Sequence, residues 1–282
     1  MNAPQRRAWA LSPDHVDLRG PAGAPASGLA GAPAGASQRT GIHLDARPQR
    51  LTLDPDRTAI IVIDMQNDFC TRGGWLDSIG VDTTAAAAAI PHLVRLLPLL
   101  RTAGVPVVWL NWGNRADLAN LPPNVTHVYD PDGSGGGIGD RVAASDAVLR
   151  AGSWGAAIVD GLDVADDDLH VDKFRMSGFF DTPLDSILRQ LRVDTVLFAG
   201  VNADQCVLAT LTDAACLGYD VVLVEEASAT TSPAFCLDAT LYNVRQCFGF
   251  TTTPDAVAAA FDASAPLIDV PTDCLTLPTD PH

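Results

Sequence analysis

The chain has 282 residues, 47% of them hydrophobic, with a formal net charge of −16 and a pI near 4.5. That length and apolar content suffice for one substantial domain with a buried core. The acidic balance argues against nucleic-acid binding, which clusters Lys and Arg against phosphates, and it suits small neutral or cationic molecules. The sequence has no run of 18 apolar residues to span a bilayer.

The chain begins MNAPQRRAWALSPDH, and Asp14 and His15 arrive before any apolar export segment develops, so the expected location is the cytoplasm. Six cysteines (Cys70, Cys206, Cys216, Cys236, Cys247, Cys274) include no CxxC pair. This fits reduced thiols, most of them core residues, and disfavours a redox protein. Residues 20–37, GPAGAPASGLAGAPAGAS, hold almost no large apolar side chain. The composition predicts a flexible arm over residues 1–50, a folded domain over 51–262 and a tail over 263–282.

From Thr58 the pattern changes. AIIVID (59–64) is a β-branched run ending in an acid, which predicts a buried parallel strand with a polar residue at its carboxyl edge. Ile90, Val94, Leu97 and Leu100 follow at helical spacing, closed by Gly104, with Pro91 and Pro98 predicting a kink or a late start. Further strands are read at 105–111, 168–172, 195–200, 221–227 and 248–252, and helices at 205–217 and 233–246. Thr182-Pro183-Leu184-Asp185 is a helix start: hydroxyl cap, proline at the first position, acid three residues on. The alternation predicts an α/β fold, a three-layer α/β/α sandwich around a mostly parallel, about six-stranded Rossmann-like sheet. Ligands then bind beyond the carboxyl ends of the strands, just after residues 64, 111, 172 and 200.

Three reactive side chains fall there: Asp64, Lys173 and Cys206. GVNADQCVLATL (200–211) passes from strand through a tight turn into a helix, which places Cys206 in the first helical turn. Unpaired N–H groups and the helix dipole are expected to lower its thiol pKa there. Lys173 is the chain's only lysine beside 17 arginines. Arginine is bulkier and cannot be tuned to give up its proton, so a lysine kept at this position reads as functional. The combination implies acyl transfer through a thioester, with an oxyanion held by backbone N–H groups.

IVIDMQNDF (61–69), HVDKFRMSGFFDTPLDSIL (170–188) and FAGVNADQCVLATLTDAACLGYDVVLVEEA (198–227) resemble three ordered motifs of the isochorismatase-like cysteine hydrolases, over roughly residues 50–262. The resemblance implies Asp64 as general base and acid, Lys173 as the supporting cation and Cys206 as nucleophile. It further implies a cis peptide between Val201 and Asn202, an oxyanion hole from the N–H groups of Asn202 and Cys206, and assembly as a homodimer or homotetramer. Isochorismatase itself lacks the cysteine, so the resemblance points to an amide hydrolase. Nicotinamidases of this family hold a metal with an Asp-x-His pattern, which residues 110–130 lack; no metal and no cofactor is expected, and His127 is read as a loop residue.

GGWLD, GSWG, SGFFDTPLDSIL and YNVRQCFGF are most similar to ureidoacrylate amidohydrolases, whereas NWGNRADLANLPPN is closer to biuret hydrolase. The glutamine that biuret hydrolase uses after its last helix aligns with Cys247, which argues against biuret. A streptothricin-type lactam hydrolase, whose cationic substrate would suit the acidic charge, and a catalytically silent binding protein on the same fold are the alternatives. Gln66, Phe69, Asn111, Trp112, Phe174 and Asn202 leave strand ends and are the candidate contacts for a small planar substrate. DGSGGGIGD (132–140) fits no phosphate-binding pattern and reads as a flexible lid or a surface loop.

Overall fold

The computed structural model describes residues 8–20, 41–141 and 146–262. Five short strands come first: β1 (Ala10–Leu11), β2 (His15–Asp17), β3 (Ile42–Leu44), β4 (Ala46–Arg47) and β5 (Arg50–Leu53). The strands read from the apolar runs follow as β6 (Thr58–Ile63), β7 (Val107–Trp112), β8 (Leu169–Lys173), β9 (Thr195–Gly200), β10 (Asp220–Ser228) and β11 (Phe250–Thr252). The main sheet has the order β4-β11-β10-β9-β6-β7-β8, parallel except for β4 at its edge. Every residue of β6, β7 and β9 is buried, as an α/β sheet covered on both faces requires. The sheet has seven strands rather than about six because β4, too short and polar to show a strand pattern, pairs antiparallel with β11.

Nine helices are present among the described residues: α1 (Asn67–Cys70), α2 (Trp75–Ser78), α3 (Thr84–Ala87), α4 (Ile90–Thr102), α5 (Pro123–Val128), α6 (Leu184–Gln190), α7 (Leu208–Cys216), α8 (Ala234–Asn243) and α9 (Pro254–Phe261). None is long and apolar enough to cross a membrane. In α4 the buried stripe is Leu93, Leu96, Leu97 and Leu100, while Val94, assigned to that stripe from its spacing, is exposed. Pro91 sits in the first turn, and at Pro98 the hydroxyl of Thr102 donates to the proline carbonyl at 2.8 Å. The helix therefore runs through both prolines. Before α6 the Thr182 hydroxyl accepts from the Leu184 N–H at 3.1 Å, but the helix starts at Leu184 with Pro183 as its capping residue, one position later than the sequence places it.

The flexible-arm expectation fails for residues 8–20 and 41–50. A second sheet of order β1-β2-β5-β3 forms there, and Val16, Leu18, Leu44, Leu51 and Leu53 join the main core. Trp9 donates its indole N–H to Asp220 at 2.9 Å and packs its ring on Phe250. The Gly, Ala and Pro composition at 20–37 dominated the reading of this region and hid its short apolar flanks. Residues 21–40 and the 263–282 tail lie outside the described residues, as does Cys274. Of the other cysteines, Cys70 and Cys206 are buried, but Cys216 and Cys247 are exposed.

Asp168, just before β8, fixes how that strand enters the sheet. It accepts from Arg101 Nε at 2.9 Å and Nη2 at 2.6 Å, from the Trp109 indole at 2.8 Å and from the Ala165 N–H at 3.0 Å. Burial alone would raise its pKa, but Arg101, Trp109 and Ala165 outweigh that and hold it below the usual carboxylate range. A depressed folded-state pKa contributes stability above the unfolded value of about 3.9, and that stability is lost as pH falls through the folded value. Asp168→Ala is expected to cost about 2–3 kcal/mol at neutral pH and to flatten the acid end of the stability curve, measured by urea denaturation across pH.

Candidate active site

Parallel register sets the strand ends level. Ile63 pairs with Leu110 and with Gly200, and Trp112 pairs with Lys173, so the residues that follow β6, β7 and β9 emerge beside Lys173 at one edge. Asp64 lies one residue beyond β6 with φ of 52°, a left-handed conformation that turns the chain off the sheet. Its N–H donates to the Leu110 carbonyl at 3.0 Å and its carbonyl accepts from Gln66 at 2.7 Å, which fixes the turn. Gly200 has φ of 115°, and a Cβ there would stand 2.1 Å from the Ile63 carbonyl oxygen. Only glycine permits β6 and β9 to approach this closely as the chain leaves toward the cysteine.

After Gly200 the Val201–Asn202 peptide is cis, followed by a π-turn over Ala203–Val207 that leads into α7. The Asn202 carbonyl accepts from the N–H groups of Gln205 and Val207, at 3.0 and 3.2 Å, and not from that of Cys206 between them. The Asn202 N–H itself has no acceptor among the described residues.

Asp64, Lys173 and Cys206 are thereby gathered in one buried site. The Lys173 Nζ lies 2.8 Å from Asp64 Oδ2 and 3.3 Å from Cys206 Sγ. It also donates to the Arg175 carbonyl at 3.2 Å and sits 4.1 Å over the Trp112 ring. The Asp64 contact is an ion pair rather than an aligned hydrogen bond, and among the described residues no other donor is aligned on either Asp64 oxygen. That carboxylate keeps lone pairs available for a proton.

Burial of Asp64 raises its proton affinity, opposed by Lys173. Burial would depress the Lys173 ammonium, but Asp64 and Cys206 outweigh it and hold the lysine above its ordinary range. The Cys206 thiol is pushed up to about 12, first by burial and then by Asp64, against the pull of Lys173. This reverses the lowered pKa expected from a helix start. The sulfur stands in a dry site beside a carboxylate, and the turn holding it is π rather than the open first turn of an α-helix. At rest the sulfur is a thiol with a carboxylate beside it.

A narrow hollow reaches Cys206, with walls of Phe69, Trp112, Tyr129, Ile138, Met176, Asn202 and Gln205. Its free volume is about 10 Å³, room for roughly one water-sized group. Three candidate contacts from the sequence, Phe69, Trp112 and Asn202, line it. Gln66 does not; it is fully buried, donates to the Trp112 and Ala156 carbonyls and accepts the Trp112 N–H at 2.8 Å, which clamps β7 to the turn after Asp64. Asn111 is buried but is not in the wall. Phe174 lies under the Arg175 guanidinium, 4.9 Å away, rather than in the hollow. Tyr129, Ile138, Met176 and Gln205 were not found from the sequence. Ile138 carried a signal, as the one large apolar residue in the glycine run. The structure buries it, and the Trp75 indole donates to Gly136 at 2.8 Å, so this part of the run is wall rather than a surface loop. His127 is exposed, on α5 rather than in a loop.

Comparison with known proteins matches the sequence and the fold to a family. Residues 58–256 match the isochorismatase domain. The ureidoacrylate amidohydrolase RutB of Rhizobium rhizogenes is 35% identical over 225 residues, covering 80% of this chain and 92% of that protein. A cysteine hydrolase from Pseudomonas syringae superposes with a TM-score of 0.62 at 27% identity, covering 74% of this chain and 94% of that one. The N-carbamoylsarcosine amidase of Thermoplasma acidophilum gives a TM-score of 0.54 at 26% identity, covering 71% and 97%. With its domain, its sheet and its relatives in agreement, this chain belongs to the isochorismatase family of hydrolases.

Proposed function

We propose that the protein is a cysteine-dependent amidohydrolase of ureido substrates, ureidoacrylate being the favoured one, and that it works through a thioester. The observation that carries this reading is one buried ammonium within 2.8 Å of a carboxylate and 3.3 Å of a thiol. The named activities of RutB and of the carbamoylsarcosine amidase support the class, since both relatives cleave carbon–nitrogen bonds beside a carbonyl.

Asp64 takes the Cys206 proton as the sulfur attacks the ureido carbonyl carbon. The Asn202 and Cys206 N–H groups receive the oxyanion, and Lys173 offsets the negative charge now shared by the site. The tetrahedral carbon then breaks its bond to the leaving nitrogen, to which Asp64 returns the proton, and a carbamoyl thioester remains. Water attacks that carbonyl while Asp64 takes its proton. The C–S bond breaks, carbamate leaves and the sulfur recovers the proton. A high thiol pKa suits this sequence, because the proton moves to Asp64 only when the carbonyl is in place.

Cys206→Ala is expected to lower ureidoacrylate turnover by about 10⁴-fold or more with unchanged thermal unfolding, read as amine release. Full activity in that variant ends the proposal, as does a purified enzyme that releases amine or ammonia from none of ureidoacrylate, biuret and streptothricin. Lys173→Arg keeps the charge but brings a larger guanidinium into a fully buried slot under Trp112. It should lose roughly 100-fold in kcat.

The pH profile has a defined sign. Asp64 must be ionised and its pKa is raised, so kcat/KM should fall on the acid side at a midpoint above the usual carboxylate value of about 4. With the Cys206 thiol pushed up to about 12 and Lys173 raised, the alkaline side should stay flat to about pH 9. A rise centred near the ordinary thiol value of about 8.5 would show a free thiolate acting instead.

A further inference from the structure

The wall of the hollow contains a polar pair that the proposed mechanism leaves unused. Gln205 and Cys206 are consecutive, and the π-turn over Ala203–Val207 lets both face the same space. The Gln205 side chain accepts from the Tyr129 hydroxyl through Oε1 at 2.8 Å and donates from Nε2 to Ser232 Oγ at 3.3 Å. The Tyr129 ring packs edge-on against Trp75 at 5.0 Å, and Trp75 packs against Phe69 at 5.9 Å. Trp75 is held in turn by its bond to Gly136, so the hydroxyl that orients Gln205 is itself fixed. Tyr129 is pushed up to about 12, chiefly by burial, and stays a donor throughout the working range.

An amide oxygen has two acceptor sites, and Tyr129 occupies one. The other amide in the wall is already used: Asn202 Oδ1 takes the Thr231 N–H at 3.1 Å and its hydroxyl at 3.5 Å. The remaining lining side chains, Phe69, Trp112, Ile138 and Met176, offer no comparable acceptor. The hollow that Gln205 and Cys206 both line has room for roughly one small group, about 10 Å³.

We propose that Gln205 determines acyl specificity: its Oε1, aimed by Tyr129, accepts an N–H from the amino group that stays on the carbonyl carbon bonded to Cys206. The site then selects H₂N–CO– over alkyl–CO– groups. This rests on the amidohydrolase reading above. A methyl group fills the same space but leaves a half-buried amide oxygen one partner short, and a site built around a hydrogen bond rejects analogues that lack it better than a size filter does.

The test uses two substrates with one leaving group, 3-ureidoacrylate and 3-acetamidoacrylate, both of which release 3-aminoacrylate. The wild-type protein should favour the ureido compound in kcat/KM by about 100-fold or more. Gln205→Met, close in size and without hydrogen bonds, should lower that ratio about 10- to 100-fold. Tyr129→Phe, which leaves the amide in place but unaimed, should lower it by a smaller factor, and it carries the test if the methionine variant unfolds. A folded Gln205→Met protein that keeps the wild-type ratio overturns the inference, as does a Tyr129→Phe protein that keeps it when the methionine variant does not fold. A wild-type protein that hydrolyses both compounds equally overturns this inference alone, whereas one that hydrolyses neither overturns the choice of ureidoacrylate as substrate on which the inference rests.

Discussion

The ion pair between Lys173 and Asp64 constrains the rest of the structure. Neither side chain reaches solvent, and two charges taken out of water cost several kcal/mol each unless they find close compensation. Here the compensation is the 2.8 Å contact itself, the Arg175 carbonyl, the Trp112 ring face and the Cys206 sulfur. Each comes from a different place in the chain, so the pair exists only when β6, β7, β8 and the cysteine turn are all in register. Losing one member leaves the other as an uncompensated buried charge.

Register is therefore the link between fold and site. The Ile63–Gly200 and Trp112–Lys173 pairings level the strand ends, and the missing side chain of Gly200 lets β9 close against the Ile63 carbonyl. Gln66 repeats the logic on the other side of β6. Three hydrogen bonds from one buried amide tie the turn after Asp64 to Trp112 and to Ala156. The Arg101–Asp168–Trp109 network does the same at the entry to β8. The placement of Asp64 and Lys173 thus rests on side chains that bond to neither of them.

The parallel strands were legible because each is an apolar run with a polar residue at its carboxyl edge, and the positions of Asp64, Lys173 and Cys206 followed from those edges. What failed has separate physical causes. The N-terminal strands are two to four residues long and lie on either side of a Gly- and Ala-rich stretch, so composition averaged over a window masked Val16, Leu44 and Leu51. Val94 was assigned to the buried stripe because a four-residue step fitted the helical period, but the core contacts of α4 lie one residue away at Leu93. The direction of the Cys206 shift depends on burial and on a neighbouring carboxylate, both properties of the assembled fold. Tyr129 and Gln205 meet across 76 residues through an irregular loop, and nothing periodic in the sequence announces such a meeting.

The distribution of cations follows from the same electrostatics. The exposed pairs Arg50–Asp14, Arg95–Asp255, Arg115–Asp117 and Arg189–Asp185 sit in solvent, where a guanidinium and an ammonium do nearly the same work and contribute little. At residue 173 the slot is closed on every side, bounded by an indole face, a carbonyl, a carboxylate and a thiol. A planar guanidinium would need more volume and a partner for each of its five N–H groups, whereas the compact ammonium is met by the Asp64 carboxylate at ion-pair distance and by hydrogen bonds to Cys206 and the Arg175 carbonyl. In the proposed reaction the Cys206 proton passes to Asp64, so the one negative charge that balances the ammonium moves from the carboxylate to the sulfur and then to the oxyanion, and no second charge is added. On the proposed reading, the burial and the neighbouring carboxylate that keep Cys206 a thiol also supply the base that frees it when a carbonyl arrives.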